Sequence, residues 1–460
     1  MKKSTRTISG ITPVAVMTGP MGCPGRCVYC PTFAATPQSY TPDSPAVIRA
    51  RSCDYDAFRQ VGLRLKILED MGHPTDKIEM IIMGGTFPSA PPDYQYNFIK
   101  GCFDALNGVG SLNLEDAKRI NETAVHRCTG LCIETRPDFC TQDEIDRMLE
   151  FGTTRVELGV QMLSDQVYQT VHRGHTVEDV ARATALLKDH AVKVHYHWMP
   201  GLPGSSVEED LRLSNVVFDD PRFRPDGIKI YPTMVVEGTE LEKWYREGLY
   251  TPYHDEDMMD LMGRIKSIVP KYVRISRVLR DIPAKFIVGG LRDSLRDPLR
   301  LRMEQMGLHC RCIRCREYGF RARAKMAIGV PQLTRLDYEA SGAKEIFLSF
   351  EDDQETLFGL VRLRITEKIT TGLAAPSGRK LALIRELHVF GPELTLSSRQ
   401  ENAAQHKGYG KALLREAERI AREEFGRDYM AVLSGVGARE YYSSEGYELQ
   451  GAYMVKSLST

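Results

Sequence analysis

From Val14 to about Tyr231 the chain alternates short β-rich runs with amphipathic stretches of helical period. Parallel strands need a crossover between them, and a helix laid over the sheet is the common one, so this alternation predicts repeated βα units around a parallel sheet. The predicted strands are Val14 to Met17, Lys77 to Met83, Gly130 to Thr135, Arg155 to Gln161, Lys193 to Trp198 and Gly227 to Tyr231. Helix starts are marked by the capping patterns Thr141-x-x-Glu144, Thr176-x-x-Asp179 and Ser206-x-x-Glu209, and helix stops by Gly72 and Gly152. Such units predict an α/β fold, a partial (β/α)6 barrel. Folds of this kind bind ligands at the carboxyl ends of their strands, so chemistry is expected in the residues that follow each run.

The loop after the first strand, Gly22-Cys23-Pro24-Gly25-Arg26-Cys27-Val28-Tyr29-Cys30, carries cysteines at C-x3-C-x2-C spacing. Three close thiolates hold three irons of a [4Fe-4S] cluster and leave the fourth open to an outside ligand. A structural zinc loop is the bland alternative, but such loops usually supply cysteines in pairs and close with a fourth ligand. The next cysteine, Cys53, lies beyond a Pro-rich stretch. The chain has 11 cysteines in 460 residues. An odd count, with Cys23, Cys27, Cys30, Cys310, Cys312 and Cys315 in two tight clusters, favours metal ligation in a reducing compartment over a disulfide scaffold.

The spacing, Tyr29 before the last cysteine, and the strand-then-loop placement resemble the radical S-adenosylmethionine superfamily. The resemblance implies that Cys23, Cys27 and Cys30 hold the cluster, that the cofactor chelates the open iron, and that its reductive cleavage gives a 5′-deoxyadenosyl radical. Met83-Gly84-Gly85-Thr86 resembles the superfamily's glycine motif for the methionyl amino group, and Met199-Pro200-Gly201-Leu202-Pro203-Gly204 its glycine-rich segment beside the adenosine. Gly84, Gly85, Glu134, Gln161 and Arg173 are the expected cofactor contacts. Any one of these polar residues alone reads equally well as an ion pair or a buried amide; their shared position at strand ends selects the functional reading. Lys229 and Tyr231 close the series on the sixth strand, and Lys229 is expected to be catalytic. His195 and His197 alternate along the fifth strand and read as packed or hydrogen-bonded barrel histidines, without a second catalytic metal.

Between Arg264 and Lys325 there are 17 Lys or Arg against 5 Asp or Glu, in a chain whose 61 basic and 61 acidic residues cancel. Interleaved aromatics, Tyr272, Phe286, Tyr318 and Phe320, make this segment suitable for a folded RNA with exposed loop bases. The alternative is a solvated face paired with acidic residues elsewhere. Cys310, Cys312 and Cys315 lie inside the segment and read as a structural zinc site with an unidentified fourth ligand, a second iron-sulfur cluster being the alternative.

From about Gln332 the pattern changes to strands in hairpin order: Gln332 to Tyr338, Lys344 to Phe350, a turn at Asp352-Asp353, and Leu357 to Ile365. A Gly/Pro/Ser stretch around Thr370 to Arg379 precedes Leu381 to Phe390, a predicted central strand. Gln405-His406-Lys407-Gly408-Tyr409-Gly410 then opens a helix predicted over Lys411 to Glu424. Glycines there let backbone amides wrap a pyrophosphate, with the helix dipole favouring its charge. Placed before Tyr429 to Ser434, the pattern resembles the Q/R-x-x-G-x-G/A motif of Gcn5-related acetyltransferases, which implies acetyl-coenzyme A. In that resemblance the ligand is held by Glu386, Leu387, His388 and Val389, by Gln405, His406, Lys407, Gly408, Tyr409 and Gly410, and by Tyr442. Tyr441 or Tyr442 is expected to protonate the leaving thiolate, and the other to pack.

A radical S-adenosylmethionine barrel fused to such an α+β domain resembles the catalytic subunit of Elongator and its single-chain bacterial and archaeal relatives. Gln38-Ser39-Tyr40, Arg49-Ala50-Arg51, Met83-Gly84-Gly85-Thr86-Phe87, Arg385-Glu386-Leu387-His388-Val389 and Ser434-Gly435-Val436-Gly437 carry the resemblance. It implies 5-carboxymethylation of the wobble uridine of transfer RNA: the radical takes hydrogen from the acetyl methyl, the carbon radical adds to uridine C5, and thioester hydrolysis leaves the carboxymethyl group. The expected domains are a barrel over 1–262, a basic connecting segment with the zinc motif over 263–325, and an acetyl-coenzyme A domain over 326–460. Expected partners are the transfer RNA anticodon stem-loop, acetyl-coenzyme A and an electron donor, with no obligate protein partner. No apolar run approaches the roughly 20 residues that span a bilayer, and the polar start lacks a signal peptide's apolar segment, so a cytoplasmic protein without membrane attachment is expected. The competing reading is a protein lysine acetyltransferase with a structural cluster.

Overall fold

The computed structural model describes residues 7–292, 296–367, 380–391 and 408–459. Its first sheet is wholly parallel and contains β1 (Thr12–Met17), β2 (Lys77–Met83), β3 (Arg127–Thr135), β4 (Arg155–Gln161), β5 (Lys193–Trp198), β6 (Gly227–Ile230) and, after a short β7 (Val235–Val236), β8 (Arg274–Val278). Helices fill the intervals, as the alternation requires. β8 adds a seventh strand beyond the six predicted; it comes from the basic segment, where charge at Arg274 and Arg277 obscures a strand pattern. β9 (Ile287–Gly289) pairs antiparallel with β7 beside the barrel mouth.

Capping chemistry sets several of the helix starts in the barrel. Thr141 with Glu144 and Thr176 with Asp179 form reciprocal boxes. Ser206 accepts from the Glu209 amide, but the Glu209 carboxylate turns away to Arg212 at 2.7 Å on both oxygens, so that box is half-formed. Gly72 and Gly152 follow their helices at φ +75 and +81, a left-handed conformation that glycine adopts without steric cost.

The second sheet contains β10 (Gln332–Ala340), β11 (Ala343–Glu351), β12 (Leu357–Ile365), β13 (Leu381–Val389), β14 (Tyr429–Val432), β15 (Glu448–Gln450) and β16 (Tyr453–Ser457), in the order β10-β11-β12-β13-β14-β16-β15. The first three form the predicted hairpins and β13 adds antiparallel to β12, whereas β13 and β14 are parallel and pair only over Leu381–Ile384 and Tyr429–Val432. Beyond Ile384 the two strands part, and among the described residues β13 makes no further pairing with β14. The predicted coil around Thr370 to Arg379, and Gln405, His406 and Lys407, lie outside the described residues.

The second sheet closes the amino ends of the barrel strands. Gly435 and Gly437 rest on the β3 backbone: a Cβ on Gly437 would lie 2.5 Å from Arg127 Cβ and 2.9 Å from Cys128 N, and one on Gly435 would overlap the Thr129 carbonyl. Buried ion pairs join the two bodies as well. Arg364 of β12 reaches Asp189 at 2.5 Å and Glu345 at 2.9 Å, and Arg362 donates to the Tyr272 carbonyl at 2.6 Å. No helix among the described residues is long and apolar enough to cross a membrane.

Candidate active site and a second cavity beneath it

The carboxyl ends of the barrel strands surround a cavity of about 460 Å³ into which Cys23, Cys27 and Cys30 open. Each sulfur already accepts a hydrogen bond: from the Gly25 amide at 3.4 Å, from Arg173 Nη1 at 3.3 Å and from Gln38 Nε2 at 3.4 Å. Donors aimed at sulfur favour thiolate and the negative charge of a bound metal centre. Burial and the neighbouring Cys27 push the Cys30 thiol up, an effect that coordination reverses.

The walls carry unsatisfied polar groups. Gln161 sits at φ +71 at the end of β4, where the register with β5 shifts, and its Oε1 is buried without a partner. Thr18 Oγ1, Arg136 Nη1 and Arg173 Nε are likewise buried and unpartnered. Buried polar atoms are rarely left so in folded proteins, and those of Gln161, Arg136 and Arg173 on the walls of one cavity fit a polar ligand that completes them. Gly84 (φ +139) and Gly85 (φ +94) bring bare backbone to the same rim, and a Cβ on Gly84 would overlap Thr18 Oγ1. The cysteines, orphaned polar groups and glycines together fit a chelated cluster with S-adenosylmethionine beside it.

Inside the cavity Glu134 accepts from Tyr40 Oη at 2.7 Å and lies 3.9 Å from Lys229 Nζ. Lys229 also hydrogen-bonds Glu157, whose Oε2 stands 3.0 Å from His197 Nε2. Burial alone would raise the Glu157 carboxyl, but Lys229, with His197 and Arg155, holds it well below the usual carboxylate range. Glu134, Glu157 and His197 offer three ligand atoms within 4.8 Å of one another, and the Lys229 ammonium supplies the positive charge in their midst. Glu134 and Arg136 do not pair with each other, because Arg136 forks onto Asp138 at 2.9 Å through both nitrogens.

A second cavity of about 230 Å³ lies at the opposite end of the barrel, between the amino ends of β2, β3 and β5 and the parted strands β13 and β14. Glu386, Leu387, His388, Val389 and Tyr442 line it. Glu386 is held by Arg362 at 2.8 Å and Lys193 at 3.4 Å, and His388 Nε2 stands 2.9 Å from the Ser9 carbonyl. Gly408, at φ +77, turns the chain into the helix Tyr409–Arg419. Of the two tyrosines, Tyr442 faces the cavity. Tyr441 instead packs beside that helix, its Oη 3.0 Å from where a Gly410 Cβ would sit, and burial pushes its hydroxyl up to about 12.

Cys310, Cys312 and Cys315 bring their sulfurs within 4.8 Å of one another, tight enough for a single ion. Much of the predicted basic patch is internally neutralised: Arg274 pairs with Glu317 at 2.7 Å, Arg302 with Asp260 at 2.5 Å and Arg311 with Glu355 at 2.5 Å. Arg277, itself paired with Asp281, and Arg280, which donates to Ser39 Oγ at 2.7 Å, border the barrel cavity. Sequence reasoning missed Glu157, His197 as its partner, and Arg155. A signal was available, since Arg155, Glu157 and Gln161 put charge and amide on alternate positions of a strand whose inward face should otherwise be aliphatic.

A parallel barrel with a three-cysteine loop at its carboxyl end, closed by a mixed sheet that splits at β13 and β14, defines the class: a radical S-adenosylmethionine enzyme of acyltransferase type. Residues 19–214 match the radical SAM superfamily and residues 225–304 the radical SAM C-terminal domain. The chain is 65% identical over its full length to tRNA uridine(34) acetyltransferase of Dehalococcoides mccartyi, all of which is covered. It is 43% identical to human Elongator complex protein 3, over 99% of this chain and 86% of that one. The structure of Methanocaldococcus infernus Elp3, lacking its N-terminus, superposes with a TM-score of 0.87 at 46% identity, covering 98% of this chain and 100% of that one. The chain belongs to the family of tRNA uridine(34) acetyltransferases and Elongator complex protein 3.

Proposed function

We propose that the protein carboxymethylates C5 of the wobble uridine of transfer RNA, drawing the two-carbon unit from acetyl-coenzyme A. The observation that carries this reading is the stacking of two cavities on one barrel axis, a metal-ligating one above and an acyl-carrier one below. The bound cluster and S-adenosylmethionine would supply, on reduction by an external electron donor, a carbon radical able to take hydrogen from the acetyl methyl group.

The chain's own residues do the rest. Cys23, Cys27 and Cys30 hold the cluster, with Arg173 and Gln38 as outer donors to sulfur. Gly84, Gly85, Glu134 and Gln161 present backbone and carboxylate or amide oxygen to the cofactor's ammonium and hydroxyl groups. Arg277 and Arg280 at the mouth are placed to grip the phosphates of an anticodon loop, so that an extruded uridine enters the cavity. Lys229, held between Glu134 and Glu157, is the catalytic cation that meets the uracil edge. Below, Glu386 to Val389 present the β13 backbone, beyond its pairing with β14, to the pantetheine amides, residues 405–410 bind the pyrophosphate, and Tyr442 protonates the departing thiolate when water cleaves the thioester. Cys310, Cys312 and Cys315 bind a structural zinc ion, and the domain limits follow as barrel to 262, connecting segment to 325 and acyl-carrier domain to 460.

A lysine acetyltransferase would need an open groove for a peptide over the thioester. The barrel covers that position here, which speaks against it. The experiment is an anaerobic incubation of cluster-loaded protein with transfer RNA, S-adenosylmethionine, dithionite and acetyl-coenzyme A, followed by nucleoside mass spectrometry. Carboxymethyluridine that is lost with Cys27→Ala supports the reading, and acetylated lysine without modified uridine refutes it.

A further inference from the structure

The two cavities are separated by a single layer of side chains. On β2, Glu79 lines the lower cavity and Ile81 the upper; on β3 the corresponding residues are Gly130 and Glu134, and on β5 Lys193 and His197. The layer between consists of Cys132, Arg155 and His195, and alternate positions along a strand are only about 7 Å apart. Arg155 is its charged centre. Its Nη1 donates to Glu79 Oε1 at 2.5 Å, its Nη2 lies 3.6 Å from Glu157 Oε1, and its Nε is buried without a partner. One side chain thus ties a wall of the lower cavity to a wall of the upper. His195 fits beside it because position 227 is glycine: a Cβ there would lie 2.6 Å from the imidazole ring.

We propose that the barrel interior is the passage through which the acyl end of coenzyme A, seated between β13 and β14, reaches the upper cavity, and that Arg155 is its gate. This rests on the function proposed above, which requires the acetyl methyl to meet a radical formed at the other end of the strands. With Arg155 bridging Glu79 and Glu157 the passage is shut. Release of the Glu79 bond lets the guanidinium fold toward Glu157 and leaves the small Gly130 and Cys132 as the wall beside the arm. Below Glu134 the β3 wall of this space is Gly130 and Cys132 alone, and the guanidinium, which lies against the Cys132 thiol, offers its Nε as a donor for the thioester oxygen as it passes.

Cys132 reports on the passage. Bromoacetyl-coenzyme A carries an alkylating carbon where acetyl-coenzyme A carries its methyl group. Cluster-loaded protein, with Cys23, Cys27 and Cys30 covered, is incubated with this reagent and the adducts are mapped by mass spectrometry. Cys102 and Cys140, which are equally buried but lie outside the layer between the cavities, on the helix Pro92–Asn107 and after β3, serve as controls. The expected result is a coenzyme A adduct on Cys132, slowed about tenfold by acetyl-coenzyme A at ten times its dissociation constant, and formed faster in Arg155→Met. Because that variant leaves Glu79 without its guanidinium, while Glu157 keeps Lys229 and His197, Arg155→Met with Glu79→Gln is tested beside it, each checked for native circular dichroism. Adduct absent from Cys132 in every protein overturns the passage. Calorimetric titration with acetyl-coenzyme A separates the two claims: binding without the adduct refutes the passage alone, whereas no binding refutes the lower cavity as an acyl-carrier site.

Discussion

Asp226, immediately before β6, accepts hydrogen bonds from both Nη atoms of Arg385 on β13, at 2.8 and 2.5 Å, and neither side chain touches solvent. Arg362 and Lys188 approach the same carboxylate at 3.5 and 3.9 Å. The barrel and the second sheet are therefore clamped through a buried ionic centre as well as through apolar contact. Taking one partner out leaves an uncompensated buried charge, which costs more than the intact pair contributes. Arg385→Met should lower unfolding stability by about 3–5 kcal/mol in urea titration. Arg212→Ala, which removes an exposed pair, should change it by less than about 1 kcal/mol.

The same centre gives the stability a pH dependence. Burial alone would raise the Asp226 carboxyl, but Arg385, Lys188 and Arg362 hold it well below the usual range. The unfolded chain therefore binds a proton here at a higher pH than the folded one. The stabilisation is complete above the ordinary carboxylate value of about 3.9 and is lost as the pH falls from there through the folded value. Unfolding midpoints measured from pH 5 to pH 2.5 should fall more gently in Asp226→Asn than in the parent, from a lower starting stability.

The two adjacent tyrosines should separate cleanly. Tyr442→Phe keeps the ring in its packing but removes the hydroxyl at the lower cavity, and general acid catalysis is typically worth about 10²–10⁴ in rate. Thioester cleavage should fall by about 10² or more at unchanged acetyl-coenzyme A affinity. Tyr441→Phe, beside the helix Tyr409–Arg419, should leave the rate within a few-fold. The check is thiol release measured alongside calorimetric binding.

Zinc analysis tests the second cysteine group. Protein purified anaerobically should hold close to one zinc per chain, and Cys312→Ser should lose the zinc while retaining iron at Cys23, Cys27 and Cys30. Iron in place of zinc at this site would assign it to a second cluster.

Much of this was legible in the sequence, for identifiable reasons. β2, β4 and β5 are found to the residue because turn and capping signals bracket them, and Gly72 and Gly152 stop helices in a conformation that only glycine adopts without strain. The half-formed box at Ser206 was not legible, because it depends on Arg212 competing for Glu209 one turn later. β8 was hidden by its own charges, of which Arg274 finds Glu317 only in three dimensions and Arg277 pairs with Asp281 just beyond the strand. The cofactor loop announced itself by spacing. The ionic ladder of Glu79, Arg155, Glu157 and Lys229 did not, since its members are spread over β2, β4 and β6 and only Lys229 stands out at a strand end. Position 227 shows the same limit: its glycine reads as a strand start, whereas its role is to admit the His195 ring.

One isotope measurement tests most directly whether both cavities act on the same acetyl group. Cluster-loaded protein is turned over with transfer RNA, S-adenosylmethionine and acetyl-coenzyme A deuterated in its methyl group, and the 5′-deoxyadenosine formed is analysed by mass spectrometry. One deuterium in that product, with two remaining in the carboxymethyl group on uridine, is the predicted result. Unlabelled 5′-deoxyadenosine accompanying modified uridine would mean that the hydrogen comes from elsewhere and would contradict the coupling of the two sites.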